Sequence, residues 1–185
     1  MPKLAETRWT SRIDTLSWLL VHYQSILNVL ETIKAQSKGQ AAADASSYHA
    51  VLLKFDFIVA AVMLQYTLGY IRPLSILFQF ETCVLVRAHL ESRDLVSVFQ
   101  GIRTDSSAKF HDLYERSESI GRENEVVPMK PRSAQRQRHR ANAPAENIED
   151  YYRVNFFLPF IDYIISHLNS RFPKELKIII LFQPY

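Results

Sequence analysis

The chain has 185 residues, of which 48% are apolar and 22% charged. That balance is globular rather than disordered and matches about one domain. Only 4 glycines and a single cysteine, Cys83, are present, which disfavours hairpin-rich β folds and Gly-rich phosphate loops and excludes a disulfide framework or a Cys-based zinc site. A net charge of +3 marks no nucleic-acid binder unless it is concentrated locally.

Residues 1–8 carry no apolar run and do not form a secretory signal. Thr10 or Ser11 can cap a first helix, after which Ile13, Leu16, Leu20, Tyr23, Leu27 and Leu30 recur at three- and four-residue spacing as one stripe. Gly39 is expected to stop that helix, and the Ser/Gln/Ala-rich residues 36–47 to form a weakly structured connector. A second helix is predicted from about 44–47 to 70–72. Its residues 51–68 are apolar nearly all round, so it should be the most buried, and Pro73 should break it.

The uncharged, strongly apolar run of residues 57–71 is 15 long, short of the ~18–20 needed to cross a bilayer. An intracellular protein, nuclear or cytoplasmic, is the expectation. A third helical stretch should run from Leu74 to about Ile120, with breaks near 79–83 or 105–107.

Residues 121–145 hold three prolines (Pro128, Pro131, Pro144) and few bulky apolar side chains, predicting a long flexible loop inside a single domain spanning 1–185. Within it Lys130, Arg132, Arg136, Arg138 and Arg140 place five positive charges with no carboxylate between them. Asn147 and the acidic Glu146, Glu149 and Asp150 suit the start of another helix. Tyr152, Phe156, Phe160, Ile161 and Ile164 give that helix its buried side, Pro159 should kink it, and Arg171-Phe172-Pro173 should end it. The apolar tail, residues 176–182, reads as a short helix. The fold class is therefore all-α, with four to five helices, some long, and a long basic loop.

Catalytic chemistry is hard to place. Asp14, Asp56, Asp94, Asp105, Asp112 and Asp162 fall on predicted helices or their junctions, mostly beside basic neighbours, as solvated charges do. The six histidines show no metal-ligand spacing, and neither a nucleophile elbow nor a P-loop occurs. No catalytic residue, metal or cofactor is expected. The basic loop can contact phosphates, but it lacks aromatics for base stacking, which favours a solvated connector or an arm anchored on acidic helix faces.

Several segments are similar to hAT-superfamily transposases and their domesticated relatives. They are Thr7-Arg8-Trp9-Thr10-Ser11-Arg12, Pro73-Leu74-Ser75, the block from Pro131-Arg132 through Arg136-Gln137-Arg138-His139-Arg140-Ala141-Asn142, Ile148-Glu149-Asp150-Tyr151-Tyr152-Arg153-Val154-Asn155, Leu158-Pro159-Phe160-Ile161-Asp162 and Ser170-Arg171-Phe172-Pro173. The resemblance implies the all-α insertion domain of an RNase H-like transposase. The family's two catalytic aspartates would precede residue 1, and its glutamate and dimerisation segment would follow residue 185. The family's zinc-binding DNA module would be missing too.

On this reading the chain is catalytically inactive and acts through protein or nucleic-acid contacts. The family's Arg-Trp pair, placed at the transposon end, corresponds to Arg8 and Trp9. The candidate nucleic-acid-binding set is then Arg8, Trp9, Lys130, Arg132, Arg136, Arg138 and Arg140. The expected partners are DNA or other protein chains, with no membrane and no small-molecule substrate. Two alternatives stand beside this reading: a DNA-binding module working through residues 132–140, and a truncated remnant with no independent function.

Overall fold

The computed structural model describes residues 9–78, 85–131 and 142–173, with the backbone alone at 9–11 and 85. Among the described residues it contains helices and no strands. The elements are α1 (Trp9–Val21), α2 (Tyr23–Gln36), α3 (Gln40–Leu52), α4 (Phe55–Leu77), α5 (Leu85–Thr104), α6 (Ser106–Glu123), α7 (Ile148–Tyr152) and α8 (Leu158–Arg171). A π-helical turn, Arg153–Phe157, joins α7 to α8 without a break. Counting that run once gives seven helices among the described residues, where four to five were expected.

The all-α expectation holds, and α4 is its centre. Phe55, Ile58, Val59, Ala61, Val62, Met63, Leu68 and Leu74 are buried along it, because a helix apolar nearly all round has no face to spare for water. α4 is also long and apolar enough to cross a membrane by length and composition. α1, α3, α5 and α6 pack against it, and 39% of its most apolar window is buried.

Several boundaries differ from expectation, for local reasons. Thr10 and Ser11 lie inside the first turn of α1 rather than before it. The single first helix is interrupted at His22, although His22 N–H still bonds Trp18 O (3.0 Å) and Ile26 N–H bonds His22 O (2.9 Å). The supposed connector 36–47 is mostly α3, because Ala41-Ala42-Ala43 and Ala45 are the strongest helix formers. Only Ser37 to Gly39 remain as a link. Gly39 sits there at φ 68° and ψ −139°, a backbone state essentially closed to other residues.

The expected second helix is split at Leu53-Lys54. The split leaves the Leu52 carbonyl at a helix end, and the buried Tyr23 hydroxyl donates to it at 2.6 Å. Burial in turn holds that phenol above its ordinary pKa. Pro73 does not break α4, which continues to Leu77. The proline removes one backbone bond, and the packing of Leu68 and Leu74 on either side keeps the helix running.

The break at Asp105 and the end at Arg171 lie where expected. The expected break at 79–83 and the tail helix at 176–182 fall outside the described residues.

Polar links tie the outer helices to this core. Arg72 of α4 meets Asp14 of α1 at 2.9 Å, and Arg103 of α5 pairs with Asp162 of α8. Arg116 of α6 donates to Gln65 (2.7 Å), whose amide donates to Ser17 (3.1 Å). These groups are largely exposed, so each link contributes little to stability and serves mainly to fix helix register.

Candidate functional site

The segment expected to form the basic loop begins at the end of α6. That end is a Schellman turn: Val126 N–H bonds Gly121 O at 2.8 Å, and Glu125 N–H bonds Arg122 O at 3.4 Å. Glu125, at φ 59°, occupies the left-handed position usually held by glycine. The turn drives Val126 into the core. α6 thus reaches Glu123, inside the expected loop bounds.

The chain then runs past Met129 and Lys130 to Pro131. It returns at Asn142 and enters α7 through Ala145, which packs against the core. Asn147 caps α7 by accepting Asp150 N–H at 2.7 Å. Asp150 in turn accepts Glu146 N–H (3.3 Å) and pairs with Arg153 at 2.5 Å. The Arg153 hydrogen bond holds the Asp150 carboxyl below the usual carboxylate range, against partial desolvation.

Both flanks of the loop are fixed to a single stretch of helix around the π turn. On the outgoing side, the fully buried Tyr152 donates its hydroxyl to Met129 O at 2.7 Å. Lys130 Nζ lies 5.5 Å from the Tyr151 ring centroid, within reach of a cation–π attraction. On the return side, Asn155 Oδ1 accepts Ala143 N–H (2.8 Å), while its Nδ2 donates to Ala143 O (3.2 Å) and to Tyr151 O (3.1 Å). The Asn155 amide therefore engages both polar groups of Ala143, much as a neighbouring peptide would.

The π turn makes room for this arrangement. Pro159 has no N–H and its ring would press on the carbonyl of Asn155, four residues earlier. The backbone widens by one residue, so that Leu158 N–H bonds Arg153 O. The expected kink at Pro159 thus takes the form of a π bulge, a device common at functional sites.

His111 of α6 secures the first turn of α7. Its Nδ1 lies 3.0 Å from Glu149 Oε1, and its Nε2 lies 3.6 Å from Glu115. The Glu149 hydrogen bond is the main reason the imidazole pKa is raised above 6.5; Glu115 and Asp112 add to the shift and desolvation opposes it. Because the folded pKa is raised, the pair's contribution is complete below the unfolded value and is lost as pH rises through the folded one. In an NMR titration the His111 ring is expected to show a midpoint above 6.5, falling back toward it in Glu149→Gln. An unchanged midpoint in that variant would remove Glu149 as the partner.

Of the sequence-predicted site residues, Lys130 alone has a described side chain, and it sits at the loop's outgoing flank. Trp9 opens α1. Arg8, Arg132, Arg136, Arg138, Arg140 and the side chain of Trp9 lie outside the described residues. Sequence reasoning gives Asn155 no role on chemical grounds. Its signal in the sequence is a short amide in a helix interior, a poor helix former, placed four residues before a proline. Among the described residues, no three His, Cys, Asp or Glu side chains gather to hold a metal ion. No family model, curated protein or solved structure matches the chain.

Proposed function

We propose that the chain is a transposase-derived helical domain, without catalytic activity, that works through contacts with nucleic acid or with other protein chains. Two things support this reading. One is the likeness of its segments to the helical insertion of hAT transposases, a region that carries none of the three metal-binding acids. The other, which carries the functional part, is the run Lys130, Arg132, Arg136, Arg138 and Arg140, five cations with no intervening carboxylate. Such a run neutralises phosphates and releases condensed counterions, giving affinity that depends steeply on salt and little on sequence. Action in the nucleus goes with this reading, and no cofactor or small-molecule substrate is part of it.

The test is DNA binding by the whole chain across a salt series. Replacing the five cations with glutamine is expected to weaken binding and to reduce the slope of log K against log salt by about one for each phosphate no longer neutralised. Unchanged affinity and slope would overturn the nucleic-acid reading. Metal-dependent nicking that disappears on substituting an aspartate of this chain would overturn the inactive assignment.

A further inference from the structure

We infer that His111 is a pH-sensitive latch: as the imidazolium it bridges α6 to the first turn of α7, and as the neutral ring it lets that turn open. The latch does not rest on the nucleic-acid reading above. Its two ring nitrogens face two different carboxylates, Nδ1 at 3.0 Å from Glu149 Oε1 and Nε2 at 3.6 Å from Glu115 Oε1. A neutral imidazole has one N–H and one lone pair, so in either tautomer one nitrogen turns a lone pair toward a carboxylate. The cation offers an N–H on both sides. Among the described residues, the charges acting on the ring are Glu149 of α7 and Glu115 and Asp112 of its own helix. α4, α5 and the π turn, which also pack on α6, add none.

What the latch holds is a single turn. α7 has five residues, too few to stay helical unaided. Its inner side is fixed by the buried Tyr151 and Tyr152, and upstream the Asn155 amide grips both polar groups of Ala143. Between these fixed points Ala145 and Ile148 are only partly buried against the core. Asn147 and Asp150 supply bonds within the turn, and the His111–Glu149 tie fastens it to α6. Because the bridge needs the proton, the turn is held at low pH and opens as pH rises through the folded midpoint of the ring.

The experiment is native-state hydrogen exchange on the whole chain, followed at the amides of Asp150 and Tyr151, which bond Asn147 Oδ1 and Asn147 O. With the chemical exchange rate divided out, the opening constant at these amides is expected to rise roughly twofold to fivefold between about pH 5.5 and about pH 8.5. That is the scale of an exposed ion pair across the ordinary imidazole range. His111→Gln keeps a donor and an acceptor but never takes the charge, so it should open at the high-pH level throughout. His111→Lys, charged across the same range, should stay at the low-pH level throughout.

A flat opening constant in the parent chain, or a His111→Gln variant that keeps the parent's pH dependence, overturns the inference. So does a His111→Lys variant that opens like His111→Gln at low pH, since charge would then not be what holds the turn.

Discussion

Replacing Phe55 with alanine is expected to lower the unfolding free energy by about 3–5 kcal/mol, the range for deleting a large aromatic from a close-packed core. Phe55 is the first residue of α4 and 1% exposed. Its ring meets Tyr114 of α6 and Tyr152 of α7 edge-on, each at 5.7 Å between centroids, and such pairs add to the area they bury. The end of α6 lies against it as well: a Cβ built on Gly121 would fall 3.6 Å from the ring.

Three elements therefore converge on one side chain, and none can close the cavity alone without dragging the others. For a chain of this size each kcal/mol is worth about 2–4 °C in melting temperature, so a fall of roughly 6–20 °C is expected in a thermal circular dichroism scan. A loss below about 1 kcal/mol, ordinary for a surface substitution, would show that the convergence is not what holds these helices.

What could be read from the sequence was what periodicity carries. The apolar run of α4 declared the core helix, and Asn147 with Asp150 declared the start of α7. Boundaries set by tertiary packing were not readable. Pro73 reads as a breaker on local grounds, yet α4 runs through it to Leu77, with Leu68 before it and Leu74 after it buried. Residues 40–47 read as a connector because Ser and Gln dilute the alanines, although their helix propensity is adequate once α2 lies alongside. The gap at Leu53-Lys54 has no breaker residue. It is held by Tyr23, which is 29 positions away from Leu52 in sequence.

The candidate site divides along the same line. A run of like charge is a compositional signal, so the cations of residues 130–140 were legible at once. The groups that hold the loop were not, because their bonds span 12 positions for Asn155 to Ala143 and 23 for Tyr152 to Met129. No local pattern announces that a phenol and an amide three residues apart will catch two distant backbone segments. Pro159 reads as a source of disruption; its role in widening the turn that carries Asn155 emerges only from the backbone bond of Leu158 to Arg153.

Substituting Gly121 with alanine should destabilise the chain, reversing the usual benefit of alanine in a helix. That benefit is about 1 kcal/mol in an exposed helix interior, but the new Cβ would lie 2.8 Å from the Val126 carbonyl oxygen. The oxygen belongs to backbone and cannot swing away like a side-chain tip. Its residue is tied in place by the Val126 N–H to Gly121 O bond and by burial of the Val126 side chain. Relief must come from opening the Schellman turn or lifting Val126 out of the core, an overpacking cost of about 1–3 kcal/mol. Set against the helix benefit, the net expectation is a loss of up to about 2 kcal/mol, or up to roughly 8 °C in melting temperature.

The neighbouring position supplies the control. Glu125 adopts φ 59°, so Glu125→Gly should relieve left-handed strain and raise stability by up to about 1 kcal/mol. Opposite shifts from two glycine exchanges four residues apart would tie both to the geometry of this one turn. A stabilising Gly121→Ala would instead mean that Val126 moves freely, and with it the root from which the basic loop departs.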